Sequence, residues 1–79
     1  MARTRDGIRL SDIVHAAEEK GICVRPGSKH RYVLTLEYHR PCPLAESTDA
    51  RRMIVPWMRE ALGYDNNTIY QALRDGTWE

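Results

Sequence analysis

Apolar side chains recur at helical spacing near the start of the chain, alternate with polar ones in its middle, and return to helical spacing toward its end. The stretch from Leu10 to Gly21 predicts a first helix: Ser11 can cap its N-terminus, Asp12 suits the dipole there, and Gly21 can take the left-handed stop. Ile13, Val14 and Ala17 form its apolar stripe. A short strand over Ile22–Arg25 follows, and Pro26-Gly27-Ser28-Lys29 has the composition of a reversal, since proline presets one dihedral and glycine supplies a positive one. From His30 to Tyr38 the alternation is strict, with His30, Tyr32, Leu34, Leu36 and Tyr38 on one side of a second strand. Arg40-Pro41-Cys42-Pro43 ends that strand because each proline lacks a ladder donor, and a polar connection runs on to about Asp49.

Met53, Ile54, Trp57, Met58, Ala61 and Leu62 again have helical spacing, but Pro56 inside a helix costs about 3 kcal/mol. Splitting the segment at Pro56 gives a third strand over Arg52–Val55 and a short helix that starts at the proline and closes at Gly63. Asn66 or Asn67 caps a final helix with Ile69, Ala72 and Leu73 buried and Gly76 at its end. The pattern predicts an α+β domain of order α-β-β-β-α. Its three-stranded antiparallel sheet packs one face against two helices, around Ile13, Val14, Leu34, Leu36, Ile54, Leu62, Ile69 and Leu73.

A chain of 79 residues fits one domain spanning residues 1–79 and leaves little room for a large cofactor, so none is expected. Hydrophobic content of 42% with 29% charge is that of a folding chain rather than a disordered tail. The longest apolar run, Met53–Met58, is far short of the roughly 18 residues a membrane span needs, and Met1–Gly7 has no apolar stretch behind its charge, so a cytoplasmic protein is expected. Cys23 and Cys42 are then reduced thiols. With three histidines and no Cys-x-x-Cys or paired His spacing, no metal site is expected.

Net charge is only +1, so distribution matters more than total. Arg25, Lys29 and Arg31 stand together with no acid between them, while Arg3, Arg5 and Arg9 are interrupted only by Asp6. The central cluster is the better phosphate-contacting candidate; the N-terminal one reads first as a solvated face. Tyr32, Tyr38 and Trp57 read as packing residues, and Trp78 as packing or an exposed partner contact.

Gly21-Ile22-Cys23-Val24-Arg25, the turn Gly27-Ser28-Lys29-His30, Met53-Ile54-Val55-Pro56 and Asn67–Leu73 together resemble the HicA family of mRNA-interferase toxins, in the family's order. That resemblance implies a fold similar to a double-stranded-RNA-binding domain, RNA as ligand, and a HicB-like antitoxin as protein partner. In the family a turn following an arginine carries a single catalytic histidine; His30, five residues after Arg25, matches that place. Metal-independent RNA cleavage needs a base near neutral pKa for the 2′-hydroxyl proton and cations for charge on the attacked phosphate. His30 suits the base, Arg25, Lys29 and Arg31 the cations, and Ser28 a hydrogen bond to phosphate.

A different class is open if residues 50–62 form one helix despite Pro56. The segment Ala61–Leu73 then resembles a helix-turn-helix, with Asn67, Thr68 and Gln71 facing DNA bases in a non-enzymatic regulator or a small modulator from a mobile element. A catalytically dead HicA-like fold that binds only protein is the third reading.

Overall fold

The computed structural model describes residues 2–27 and 31–78. Helix α1 (Leu10–Glu19) leads into strands β1 (Cys23–Pro26), β2 (Tyr32–Thr35) and β3 (Cys42–Leu44). A π-helical turn (Ala50–Ile54) then runs directly into α2 (Val55–Leu62), and α3 (Asn66–Asp75) follows. The expected α+β class and the three-stranded antiparallel sheet, in order β1-β2-β3, are both present, but three α-helices rather than two accompany the sheet among the described residues.

Register fixes which side chains share a face. Val24, Leu34 and Cys42 line up across the sheet, and Tyr32 faces Leu44 beside them. Leu34, Cys42 and Leu44 are buried, so this is the inner face. It packs on α1 and the π-helical turn, while α3 packs mainly against α1 and α2. Arg25, Val33 and Pro43 form the opposite row. Of the core predicted from sequence, Ile13, Leu34, Ile54, Ile69 and Leu73 are fully buried; Val14, Leu36 and Leu62 are partly buried against that core.

The third strand is not Arg52–Val55 but Cys42–Leu44, within the segment expected to be a connection. As an outer strand β3 tolerates Pro43, because a missing N–H matters only where a neighbouring strand would accept from it. Arg52–Val55 is helical instead. Asp49 caps the segment by accepting from the Arg52 N–H at 3.2 Å, and the wider π-helical turn lets Pro56 enter the first turn of α2, where its donor is not required. Residues 50–62 are therefore continuously helical.

Smaller boundaries also move, among them β1, which runs one residue later than the expected Ile22–Arg25. Strand β2 stops at Thr35 instead of Tyr38, because the His39 N–H bonds to the Leu36 carbonyl at 3.0 Å and closes a turn with Tyr38 in the left-handed region at φ 69°. Arg9, not Ser11, stands at the N-cap of α1, and it makes no side-chain cap bond. The cap of α3 is Asp65, one residue ahead of the predicted asparagines, accepting from the Thr68 N–H at 2.8 Å. The predicted glycine stops hold: Gly63 and Gly76 occupy the left-handed positions that close α2 and α3.

Candidate functional site

Strands β1 and β2 form a hairpin whose pairing runs from Cys23 opposite Thr35 to Pro26 opposite Tyr32. Arg25 lies exposed on β1, in the outer row with Val33, and Arg31 is exposed just before β2. The pairing thus brings these two predicted phosphate contacts to the same end of the hairpin. Arg31 and Tyr32 also line a groove with Ala2, Leu10 and Ser11. Among the described residues neither arginine has a carboxylate partner, Arg9–Asp12 being the one salt bridge. Ser28, Lys29 and His30, the other predicted site residues, lie outside the described residues.

A second basic group, ranked lower from sequence, is more elaborately built. Arg3 pairs with Arg9 through an isolated β-bridge, which folds residues 3–9 into a tight turn; the Thr4 N–H bonds to the Ile8 carbonyl at 2.7 Å. At its tip Asp6 accepts from the Thr4 hydroxyl at 2.6 Å, from the N–H groups of Ala50 and Arg51 at 3.0 and 3.1 Å, and from the Tyr70 hydroxyl at 3.4 Å. Partial burial pushes the Asp6 carboxyl upward, but the hydrogen bonds from Thr4, Ala50 and Arg51 outweigh it and hold it below the ordinary carboxylate range. Asp6 therefore works as a cap for the π-helical turn, supplied from 44 positions away.

Around Asp6 the cations gather. The guanidinium groups of Arg51 and Arg74 lie 5.3 and 6.0 Å from the Tyr70 ring centre. Arg3, Arg9 and Arg74 line a polar groove with Asp6, Asp12 and Tyr70. Arg9 is tied to Asp12 at 2.9 Å, and Arg3 donates to the Gly7 carbonyl at 3.0 Å. Sequence reasoning finds Arg3 and Arg9 but misses Arg51, Tyr70 and Arg74. The one local signal is the four-residue helical spacing of Tyr70 and Arg74.

Tyr38, expected to pack, is exposed instead, while Trp57 and Trp78 do pack against the core. Trp78 donates its indole N–H to the Ala16 carbonyl at 2.7 Å, its backbone N–H meets Glu19 at 3.0 Å, and its ring lies near Tyr64 and Lys20. His15 donates to the Gly76 carbonyl, and His39 meets Trp57 edge-on. Asn67, Thr68 and Gln71 are exposed on α3, although Gln71 donates to both oxygens of Asp75 at 3.1 Å. Among the described residues no three His, Cys, Asp or Glu side chains are grouped to hold a metal ion, and no helix is long and apolar enough to cross a membrane. Comparison with protein-family models, with curated proteins and with solved structures gives no match for this chain.

Proposed function

We propose that the chain binds RNA through the β1–β2 hairpin and cleaves it in the manner of a HicA-type toxin, with His30 as general base. One observation carries this reading: two exposed arginines that have no carboxylate partner among the described residues, Arg25 and Arg31, lie at the end of the β1–β2 pairing, on either side in sequence of Ser28, Lys29 and His30. Exposed guanidinium groups suit phosphate, and their fork geometry suits its oxygens. A helix followed by three antiparallel strands is common to the structure and to the order the resemblance implies, although Met53–Pro56, the strand end in that resemblance, is helical. In the reaction, His30 takes the 2′-hydroxyl proton as the 2′-oxygen attacks the adjacent phosphorus. The 5′-oxygen leaves and takes a proton from water, while Arg25, Lys29 and Arg31 stabilise the charge and Ser28 orients a phosphate oxygen. A HicB-like antitoxin would act by covering these residues.

The test compares wild type with His30→Ala on a single-stranded RNA with chelator present. Cleavage should fall by about 10²- to 10⁴-fold while binding changes far less. Equal cleavage by both proteins removes His30 from the reaction, and no cleavage by either removes the enzymatic part of the reading.

A second reading has an observation of its own. Residues 50–62 are continuously helical, Gly63 turns the chain at φ 83°, and α3 exposes Asn67, Thr68 and Gln71, as a helix-turn-helix requires. Against it, Gln71 is held by Asp75, and the exposed Asp65 and Asp75 at the two ends of α3 repel phosphate. Asn67→Ala with Gln71→Ala should leave RNA binding intact; selective loss of duplex-DNA binding in that variant would favour the regulator instead.

A further inference from the structure

The groove between the N-terminal turn and α3 has chemistry that the hairpin reading leaves unused. Arg3, Arg9 and Arg74 line it with Tyr70, Asp6 and Asp12, and Arg51 lies beside it over the same Tyr70 ring as Arg74. The four arginines carry two charges more than the two aspartates offset, and both aspartates are fixed in place. Asp6 is occupied by four hydrogen-bond donors, two of them backbone N–H groups of the π-helical turn, and Asp12 is paired with Arg9. Arg3, Arg51 and Arg74 are exposed and, among the described residues, have no carboxylate within ion-pair distance. Two of these cations, Arg51 and Arg74, meet over one aromatic ring in a molecule whose total charge is only +1. An excess of exposed cations on one surface suits an anionic ligand.

We propose that this groove is a second phosphate-binding site, which carries the phosphodiester backbone of the RNA onward from the β1–β2 hairpin. The groove containing Arg31 is walled by Ala2, Leu10 and Ser11, and Ala2 and Leu10 are the chain neighbours of Arg3 and Arg9, so both grooves border the N-terminal segment. The second groove favours a polynucleotide over an acidic peptide because its walls are mostly arginine, aspartate, glycine and tyrosine, with no apolar pocket for peptide side chains. The identity of the polyanion rests on the proposed function, but the anion site does not.

The experiment measures binding of a short 2′-O-methyl oligoribonucleotide, which cannot be cleaved through its 2′-position, across a range of salt concentrations. Arg3→Gln with Arg74→Gln should weaken binding at low salt and flatten the slope of log affinity against log salt by about 1.4, the change expected when two cations no longer neutralise phosphates of a single strand. Arg3→Lys with Arg74→Lys should restore most of that slope. Both positions are exposed, and an unchanged melting temperature shows that the fold is intact. An unaltered slope in the glutamine pair, with loss of slope in Arg25→Gln with Arg31→Gln, overturns the second site and leaves the hairpin reading standing. Loss of slope in the groove pair alone upholds the site and overturns the hairpin. Equal affinity of the wild type for a polyglutamate of matched charge overturns the assignment to phosphate.

Discussion

The Tyr70 hydroxyl on α3 donates to Asp6 Oδ2 at 3.4 Å, joining residues 64 positions apart in the chain. Because the same carboxylate also receives the N–H groups of Ala50 and Arg51, one side chain ties the N-terminal turn, the π-helical turn and α3 together.

Asp6→Asn should therefore destabilise the fold by about 1–2 kcal/mol, the usual worth of a cap, since an amide offers one acceptor oxygen where the carboxylate uses two. Asp6 also links stability to pH. Its folded pKa lies below the ordinary value, so its contribution is present above the unfolded pKa near 4 and is lost as pH falls through the folded value. Urea melts from neutral pH into the acid range should show a shallower acid limb for Asp6→Asn than for wild type; parallel limbs would separate Asp6 from acid stability.

Tyr38 is 95% exposed and holds φ at 69°, a region that costs a side-chain-bearing residue about 1–2 kcal/mol. Tyr38→Gly should raise stability by about 1 kcal/mol, less some loss of unfolded-chain restraint. Denaturant melts check the sign, and a fall in stability would mean that the ring packs where it is exposed here.

Gly63 and Gly76 take nearly the same left-handed conformation, at φ 83° and 79°, but differ in their surroundings. A Cβ on Gly63 meets nothing within 4 Å, while one on Gly76 comes within 2.9 Å of Asp12 Oδ1. Gly63→Ala should cost about 1–2 kcal/mol from backbone strain alone. Gly76→Ala should cost more, because Asp12 must move and its pairing with Arg9 is disturbed. Thermal melts of the two variants test that order.

Cys23 is exposed and Cys42 is buried; burial pushes the Cys42 thiol up to about 11. A thiol reagent at neutral pH should modify Cys23 promptly and Cys42 only after denaturation. Mass spectrometry of the native and unfolded protein reads this directly, and prompt double labelling would contradict the burial of Cys42.

The elements that local chemistry controls are legible in the residues themselves. Ile13 and Ala17 on α1, Leu34 on β2, and Ile69 with Leu73 on α3 follow from spacing alone, as do the stops at Gly63 and Gly76. Pro56 is what misleads. Treated as a barrier to a continuous helix, it moves the third strand onto Arg52–Val55, whereas tertiary packing of Ala50 and Ile54 holds a π-helical turn that accommodates it. Pro43 misleads for the complementary reason, since proline ends an inner strand but not an outer one. Of the candidate site, Arg25 and Arg31 follow from clustering in sequence. The Asp6 network and Arg51, Tyr70 and Arg74 do not, because nothing local joins positions 6, 51 and 74.

The order β1-β2-β3 leaves two outer strands, and each contains a proline, Pro26 in β1 and Pro43 in β3. Unpaired strand rims are where sheets recruit further chains, and a rim residue without an N–H interrupts the row of donors that recruitment needs. Both rims of this three-stranded sheet are interrupted in that way, which makes stacking of copies through the sheet unfavourable and leaves the outer row of Arg25, Val33 and Pro43 available to other ligands.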